Sequence, residues 1–216
     1  MIGLRDAVIT APNGRILLAP TTETFLENER IGILAAPSSG KTTMAQALAG
    51  LVPPSQGRIL RQGQQTTILG QENILHPHMS VAGGLDVAAR LLGLDSNMAV
   101  RKALKFVDFS LPLSTRLSTL SPIARSELAF ALSVQRTDPW IIADDRLLPN
   151  SPKLAAKAEQ ALTLRLKTAG LVLITKNVTQ IGRVCDRLFV LAHRLLIPVP
   201  DIRMAQTVLA TSLEVT

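Results

Sequence analysis

The stretch Ala35-Ala36-Pro37-Ser38-Ser39-Gly40-Lys41-Thr42-Thr43 decides the reading of the fold. Before it, Arg30 to Leu34 is a compact apolar run that reads as a strand. After it, Lys41 to Leu51 is rich in Ala and Leu and reads as a helix, ended by Gly50 and Pro53-Pro54. A small-residue loop that leaves a strand, closes on Gly-Lys-Thr and opens a helix is the pattern of a phosphate-binding loop. Consecutive backbone N–H groups at a helix N-terminus form an anion nest, and the helix dipole adds to it. In such a loop Lys41 supplies positive charge to phosphate, and the Thr42 hydroxyl is a magnesium ligand. Ala35 stands where the pattern has its first Gly and Ser38 where Gly is frequent; a β-carbon penalises positive φ, so strain is expected here. The alternative is a chance Gly-Lys-Thr, which the strand before and the helix after argue against.

Working outward, Leu4 to Ile9 and Arg15 to Ala19 flank the turn signal Ala11-Pro-Asn-Gly14 and read as a hairpin, with a further short strand over Thr22 to Leu26. Strand-like pieces recur at Arg58 to Leu60 and Thr66 to Leu69. From Ser80 to about Arg136 the character turns helical: Val81, Leu85, Ala88, Leu91 and Leu92 share a helix face, and Met98 to Phe109 and Ile123 to Val134 follow. A buried strand returns at Trp140 to Ala143. Ser151 as N-cap and Pro152 in the first turn open a helix to about Thr168, stopped by Gly170. Leu171 to Ile174, Arg187 to Leu191 and Leu195 to Val199 read as strands and Ile202 to Leu213 as a closing helix. The layout is α/β: residues 1–79 and 137–216 form a mostly parallel core with N-terminal antiparallel strands, and 80–136 an inserted helical subdomain.

Composition agrees with a sheet buried on both faces. Hydrophobic residues make up 47% and aromatics only 3%, with no Tyr, so the core must be aliphatic. No apolar stretch approaches the roughly 20 residues of a spanning helix, and Arg5 and Asp6 interrupt any signal-like run, so a cytoplasmic chain is expected. Cys185, the single cysteine, excludes an internal disulfide and reads as a small buried hydrophobe. The net charge of +7 is scattered, its densest group being Arg101, Lys102 and Lys105. Without aromatic interleaving or zinc-ligand spacing it disfavours nucleic acid as a partner. His76 and His78 flank Pro77 with no Cys or carboxylate set beside them and read as loop or interface residues.

With these residues in place, the chain resembles the nucleotide-binding subunit of an ABC transporter, within that group the subunits exporting capsular polysaccharides and related polymers. The resemblance runs through Lys41-Thr-Thr-Met-Ala-Gln-Ala-Leu-Ala-Gly-Leu51, Pro53-Pro-Ser-Gln-Gly57-Arg-Ile59, Leu128-Ala-Phe-Ala-Leu-Ser133 and Cys185-Asp-Arg-Leu-Phe-Val-Leu191. It implies a P-loop NTPase fold of ABC type, ATP and Mg²⁺ as ligands, and a cassette that dimerises over nucleotide and drives a transmembrane permease subunit. The location it implies is peripheral, on the cytoplasmic face of the inner membrane. Nucleotide contacts are then implied for Ala35, Pro37, Ser38, Ser39 and Gly40, for Lys41, Thr42 and Thr43, and for Ser121. Magnesium falls to Thr42, Gln71 and Asp144, and the catalytic positions to Asp145, Lys176 and Gln71.

Several of these positions depart from the family pattern. Gln71 lies at the Q-loop, though a surface Gln among Gln64 and Gln65 would look the same. Trp140-Ile-Ile-Ala-Asp144-Asp145 matches the Walker B strand, an apolar strand delivering a carboxylate beside the phosphate loop; an Asp pair at a strand end also suits a plain turn. Asp145 replaces the family's catalytic Glu, one methylene or roughly 1.5 Å shorter. A misplacement of about 1 Å can cost about 10²-fold in rate. In Leu120-Ser121-Pro122-Ile123-Ala124 the signature serine survives, but Pro122 has no N–H and Ile123 is β-branched where the family has glycines; a Ser-Pro helix start without a ligand role is the alternative. Arg146 to Ser151 lacks the usual D-loop residues. Lys176 replaces the switch histidine and can donate hydrogen bonds but not accept them. Thr10 to Gly14 offers no aromatic for a nucleotide base. Two functions follow: an ATP-binding export subunit, or a degenerate nucleotide-binding cassette with little hydrolysis and a structural or regulatory role. A small-molecule kinase would need a lid with clustered arginines, which Ser80 to Arg136 does not supply.

Overall fold

The computed structural model describes residues 1–62, 67–69 and 74–214. The chain divides into two compact units, one of Met1–Ile68, Asp138–Arg146 and Leu166–Thr216, the other of Leu69–Thr137 and Leu147–Arg165.

The first unit holds two sheets. Strands β1 (Ile2–Thr10), β2 (Ile16–Phe25) and β4 (Gln56–Arg61) form an antiparallel sheet in the order β2-β1-β4. The expected hairpin is there, but the separate strand over Thr22 to Leu26 is the second half of β2, which runs on through register shifts opposite β1. The larger sheet takes β3 (Arg30–Ala35), β5 (Thr67–Leu69), β6 (Trp140–Asp144), β7 (Gly170–Thr175), β8 (Arg187–Ala192) and β9 (Leu195–Val199) in the order β5-β6-β7-β3-β8-β9. β3 pairs in parallel with β7 and β8, β6 in parallel with β7, and β9 closes antiparallel on β8. Every residue of β7 is buried, as are Ile31 to Ala35 of β3. That is the near-continuous aliphatic signature of strands covered on both faces. Phe25 and Phe189 meet edge to face at 5.8 Å in this core.

Helices α1 (Lys41–Ala49), α6 (Val178–Val184) and α7 (Ile202–Glu214) belong to the same unit. Gly50 ends α1 in the left-handed conformation, φ 83°, as a C-terminal glycine does. The seven-residue α6 was too short to announce itself by periodicity; Asn177 caps it, its side chain accepting from the Gln180 N–H at 3.1 Å. The second unit carries α2 (Val81–Leu91), α3 (Ser96–Phe106), α4 (Pro122–Ser133) and α5 (Ala155–Arg165). α5 starts three residues later than Ser151-Pro152 suggested. Ser151 instead accepts from the Leu154 N–H at 3.3 Å and caps a turn that precedes the helix. Gly170 is not a helix stop. It opens β7, and a β-carbon there would lie 2.7 Å from the Trp140 ring. Among the described residues, no helix is long and apolar enough to cross a membrane.

Glycine also sets how α6 seats on β3. A β-carbon on Gly32 would stand 2.7 Å from Ile181 Cγ2 and 3.2 Å from Cys185 Sγ. Burial there pushes the Cys185 thiol up to about 12, with Asp186 adding to the effect. Gly32→Ala should therefore cost about 1–3 kcal/mol by overpacking in urea denaturation. Gly3→Ala, whose β-carbon would meet Leu60 Cβ at an ordinary 3.9 Å, should cost far less. For the thiol, the unfolded chain loses its proton from pH 9.0 while the folded chain keeps it towards about 12, so this contribution to stability falls across that window. Cys185→Ala should flatten that alkaline loss, and iodoacetamide should label Cys185 only after denaturation.

Candidate nucleotide site

Three segments reach the same edge of the larger sheet because their strands run parallel: the loop after β3, the end of β6 and the end of β7. Ala35 finishes β3 fully buried and is not among the residues with positive φ. The strain expected from Ala in place of Gly is absent there. The left-handed torsions fall instead at Ser38, φ 60°, and Gly40, φ 95°. Gly40 is the N-cap of α1 and has no side chain to cap it, and the first turn carries no acid. The leading N–H groups of α1 are thus the unsatisfied donors of a helix start, suited to an anion. Gly40 is also required sterically, since a β-carbon would lie 2.6 Å from the Leu17 side chain.

Side chains hold the loop closed on itself. The Ala36 carbonyl accepts from Lys41 Nζ at 3.0 Å and from the Ser39 hydroxyl at 2.8 Å. Arg15, at the foot of β2, donates from its guanidinium to the Ser38 carbonyl at 2.9 Å. Beside the loop opens a cavity of about 570 Å³ whose walls include Arg15, Leu17, Pro37, Ser38, His193 and Arg194. Among the described residues lining it there is no Phe, Trp or Tyr.

Thr42, in the first turn of α1, donates its hydroxyl to Asp144 Oδ2 at 2.6 Å, although β7 lies between β3 and β6 in the sheet. A threonine hydroxyl against a carboxylate is a hard-oxygen pair of the kind that Mg²⁺ takes together with phosphate oxygens. Asp145 follows with φ 63°, in the left-handed region that Asp tolerates better than most residues. Its N–H donates to the Ile174 carbonyl at 2.8 Å. Its own carbonyl accepts from the Thr175 hydroxyl at 2.9 Å, with Asp145 Oδ1 3.3 Å from the same oxygen. Thr175 is fully buried, and its hydroxyl also accepts the Asn177 N–H at 3.0 Å. It therefore ties Asp145 to the segment bearing the exposed Lys176.

The structure thus brings Pro37 to Thr43 of the loop together with Asp144, and joins Asp145 to the strand end before Lys176. Ser121 belongs to the second unit, where it is the N-cap of α4: its Oγ accepts from the Ala124 N–H at 3.1 Å and Pro122 occupies the first turn. Gln71 lies outside the described residues. His76 and His78 stand with ring centroids 5.6 Å apart. Sequence reasoning overlooked Arg15 and Thr175. The only signal for Thr175 was a polar residue closing the apolar run Leu171 to Ile174; Arg15 gave none.

The ABC transporter family profile matches residues 18–147, more than half of the chain. The chain belongs to the ABC transporter family. Among curated relatives it is 22% identical over 173 residues to a teichoic acids export ATP-binding protein of Listeria monocytogenes, covering 77% of this chain and 51% of that protein. It is 23% identical to the ATP-binding protein BexA of Haemophilus influenzae, covering 77% of each. It is 26% identical to a thiamine import ATP-binding protein of Jannaschia, covering 78% of this chain and 80% of that one. The chain spans about half the length of the Listeria relative. Among solved structures, an ATP-binding subunit of an ABC transporter superposes with TM-score 0.75 at 19% identity, over 99% of this chain and 96% of that one. A dimeric ATP-binding cassette bound to ADP and Pi gives 0.71 at 17%, over 88% and 94%. The fold is that of an ABC-type cassette.

The left-handed torsion at Asp145 is testable apart from any activity. Asp145→Asn, which suits the same torsion, should keep the urea midpoint nearly unchanged. Asp145→Val should cost about 1–2 kcal/mol, because a β-branched residue resists positive φ.

Proposed function

We propose that this chain is the ATP-binding subunit of an ABC transporter, that it binds ATP with Mg²⁺ at residues 36–43, and that it works in a pair of cassettes on a transmembrane permease. The contact of Thr42 with Asp144 at 2.6 Å carries this reading, because it sets the two oxygen donors of the implied ion together at the mouth of an uncapped helix. The bound ion would neutralise phosphate charge and fix its geometry. The chain's own residues do the rest. The N–H groups from Gly40 to Thr43 would donate to the phosphates, Lys41 would exchange the Ala36 carbonyl for a phosphate oxygen, and Thr42 and Asp144 would hold the ion. Asp145 orients water, with Lys176 and Gln71 as the further catalytic positions, and the helical subdomain 80–136 carries Ser121. A peripheral place on the cytoplasmic face of the inner membrane goes with this reading.

Export of a capsular or other cell-surface polymer is the cargo we infer, supported by the likeness to the Listeria and Haemophilus relatives. The thiamine importer is as similar to this chain, which fits a cargo chosen by the permease rather than by the cassette. A second reading, a cassette with weak hydrolysis and a regulatory role, is favoured by Pro122. It follows Ser121 in the first turn of α4 and has no N–H to offer a phosphate.

Titration of the purified chain with ATP in the presence of Mg²⁺ should give saturable binding, weakened about 10–100-fold in Lys41→Ala, the loss of one charged hydrogen bond. Equal affinities in wild type and variant would sink the proposal. Turnover with the permease in the range of about 1–100 s⁻¹ would reject the weak-hydrolysis reading. If turnover is slow, Asp145→Glu with Lys176→His should raise it.

A further inference from the structure

The basic group Arg101-Lys102-Lys105 finds no use in the nucleotide site, and part of it borders a second cavity. In the helical unit, where α3, α4 and α5 meet, a hollow of about 490 Å³ lies among the residues that the three helices turn toward one another. It exists because small side chains meet there: Ala131 of α4 and Ala161 of α5 leave the space that larger residues would fill. Phe106, Val134 and Leu164 complete an apolar floor and wall, and Leu164 is 64% exposed at the edge. Around this floor stand Lys102 and Lys105 of α3 with Lys157 and Arg165 of α5. Asp108 is the one acid among the described residues lining it.

Helix ends account for some of these cations. Lys105 and Arg165 sit in the last turns of their helices, where the dipole favours positive charge. Lys157 reaches the Lys105 carbonyl at 3.4 Å and Asp108 at 3.9 Å, with its ammonium 5.1 Å from the centre of the Phe106 ring. Lys102 lies a turn back from the end of α3, where the dipole asks for no cation. Lys157 lies in the first turn of α5, where the dipole opposes one. Both nonetheless border the hollow, so the positive charge follows the cavity rather than the helix ends. Lysine stems lie along apolar surface while their heads stay wet, which suits a ligand with a buried tail and an anionic head at the mouth.

We propose that this hollow binds a single-chain anionic amphiphile, its aliphatic tail on Phe106, Ala131 and Ala161 and its phosphate or carboxylate among Lys102, Lys105 and Lys157. The occupant follows from charge complementarity over an apolar floor, and the volume falls within the roughly 300–1,000 Å³ of small-molecule sites. The site is independent of the nucleotide loop.

The test is calorimetric titration of the full chain with dodecyl phosphate below its micelle concentration. One saturable site per chain is expected, with dodecyltrimethylammonium and inorganic phosphate each at least roughly tenfold weaker. Lys102→Glu with Lys105→Glu, both exposed, should weaken dodecyl phosphate by roughly the same factor. Ala161→Trp should fill the hollow and abolish binding; should that variant not fold, the lysine pair decides. Lys41→Ala should bind as wild type does, which separates this site from the nucleotide reading. Equal binding of the cationic amphiphile, indifference to the lysine pair, or binding only to vesicles of anionic phospholipid would each overturn the proposal.

Discussion

Parallel pairing of β3 between β7 and β8, with β6 beyond β7, is the constraint on which the site depends. Strands that run the same way end on the same edge, so the loop after β3, Asp144 after β6 and Thr175 after β7 arrive together however far apart they lie in sequence. Burial on both faces fixes the register: every residue of β7 and Ile31 to Ala35 of β3 are covered, and a slip would drive these aliphatic side chains out of their places. Thr42 and Asp144, 102 positions apart, meet at 2.6 Å because of that register and not because of any local preference.

Close approach is the second theme of the first unit. Gly32 lets α6 lie against β3, Gly40 lets Leu17 press on the start of α1, and Gly170 makes room for the Trp140 ring. Each spot has an indole, a branched side chain or a sulfur where a β-carbon would otherwise be. The phosphate loop is framed by these contacts, with the β1–β2 hairpin contributing through Leu17 and Arg15. An arginine bonded to the Ser38 carbonyl makes the loop's conformation depend on a sheet that the loop motif does not include.

The altered residues divide by physical consequence. Ala35 in place of glycine costs nothing in backbone strain, because its φ is not positive; the left-handed torsions of the loop fall at Ser38 and Gly40. Asp145 is more than a shortened glutamate. It occupies a left-handed torsion, which suits Asp, and its main chain is bonded to the buried Thr175. Pro122 removes a backbone donor that no rearrangement of a helix start can return, Ile123 adds a β-branched side chain beside it, and Ser121 accepts the capping bond from the Ala124 N–H. The loop and the end of β6 thus present an uncapped helix start, a lysine and a threonine–carboxylate pair, while the surrounding positions are changed in hydrogen-bonding capacity.

The sequence by itself determined the strand–loop–helix at 30–51, the hairpin before it and the later strands of the larger sheet, while α6 went unread and β2 was split in two. Those readings rest on hydrophobic period, caps and loop chemistry, which act over a few residues. Only the tertiary structure decided that Gly170 faces Trp140 instead of stopping a helix, and that α5 begins at Ala155 after a capped turn. It also decided that Arg15 and Thr175 belong with the loop and with Asp145. These are contacts between segments far apart in the chain, set by sheet register and packing, and no local pattern encodes which side chain will be opposite which.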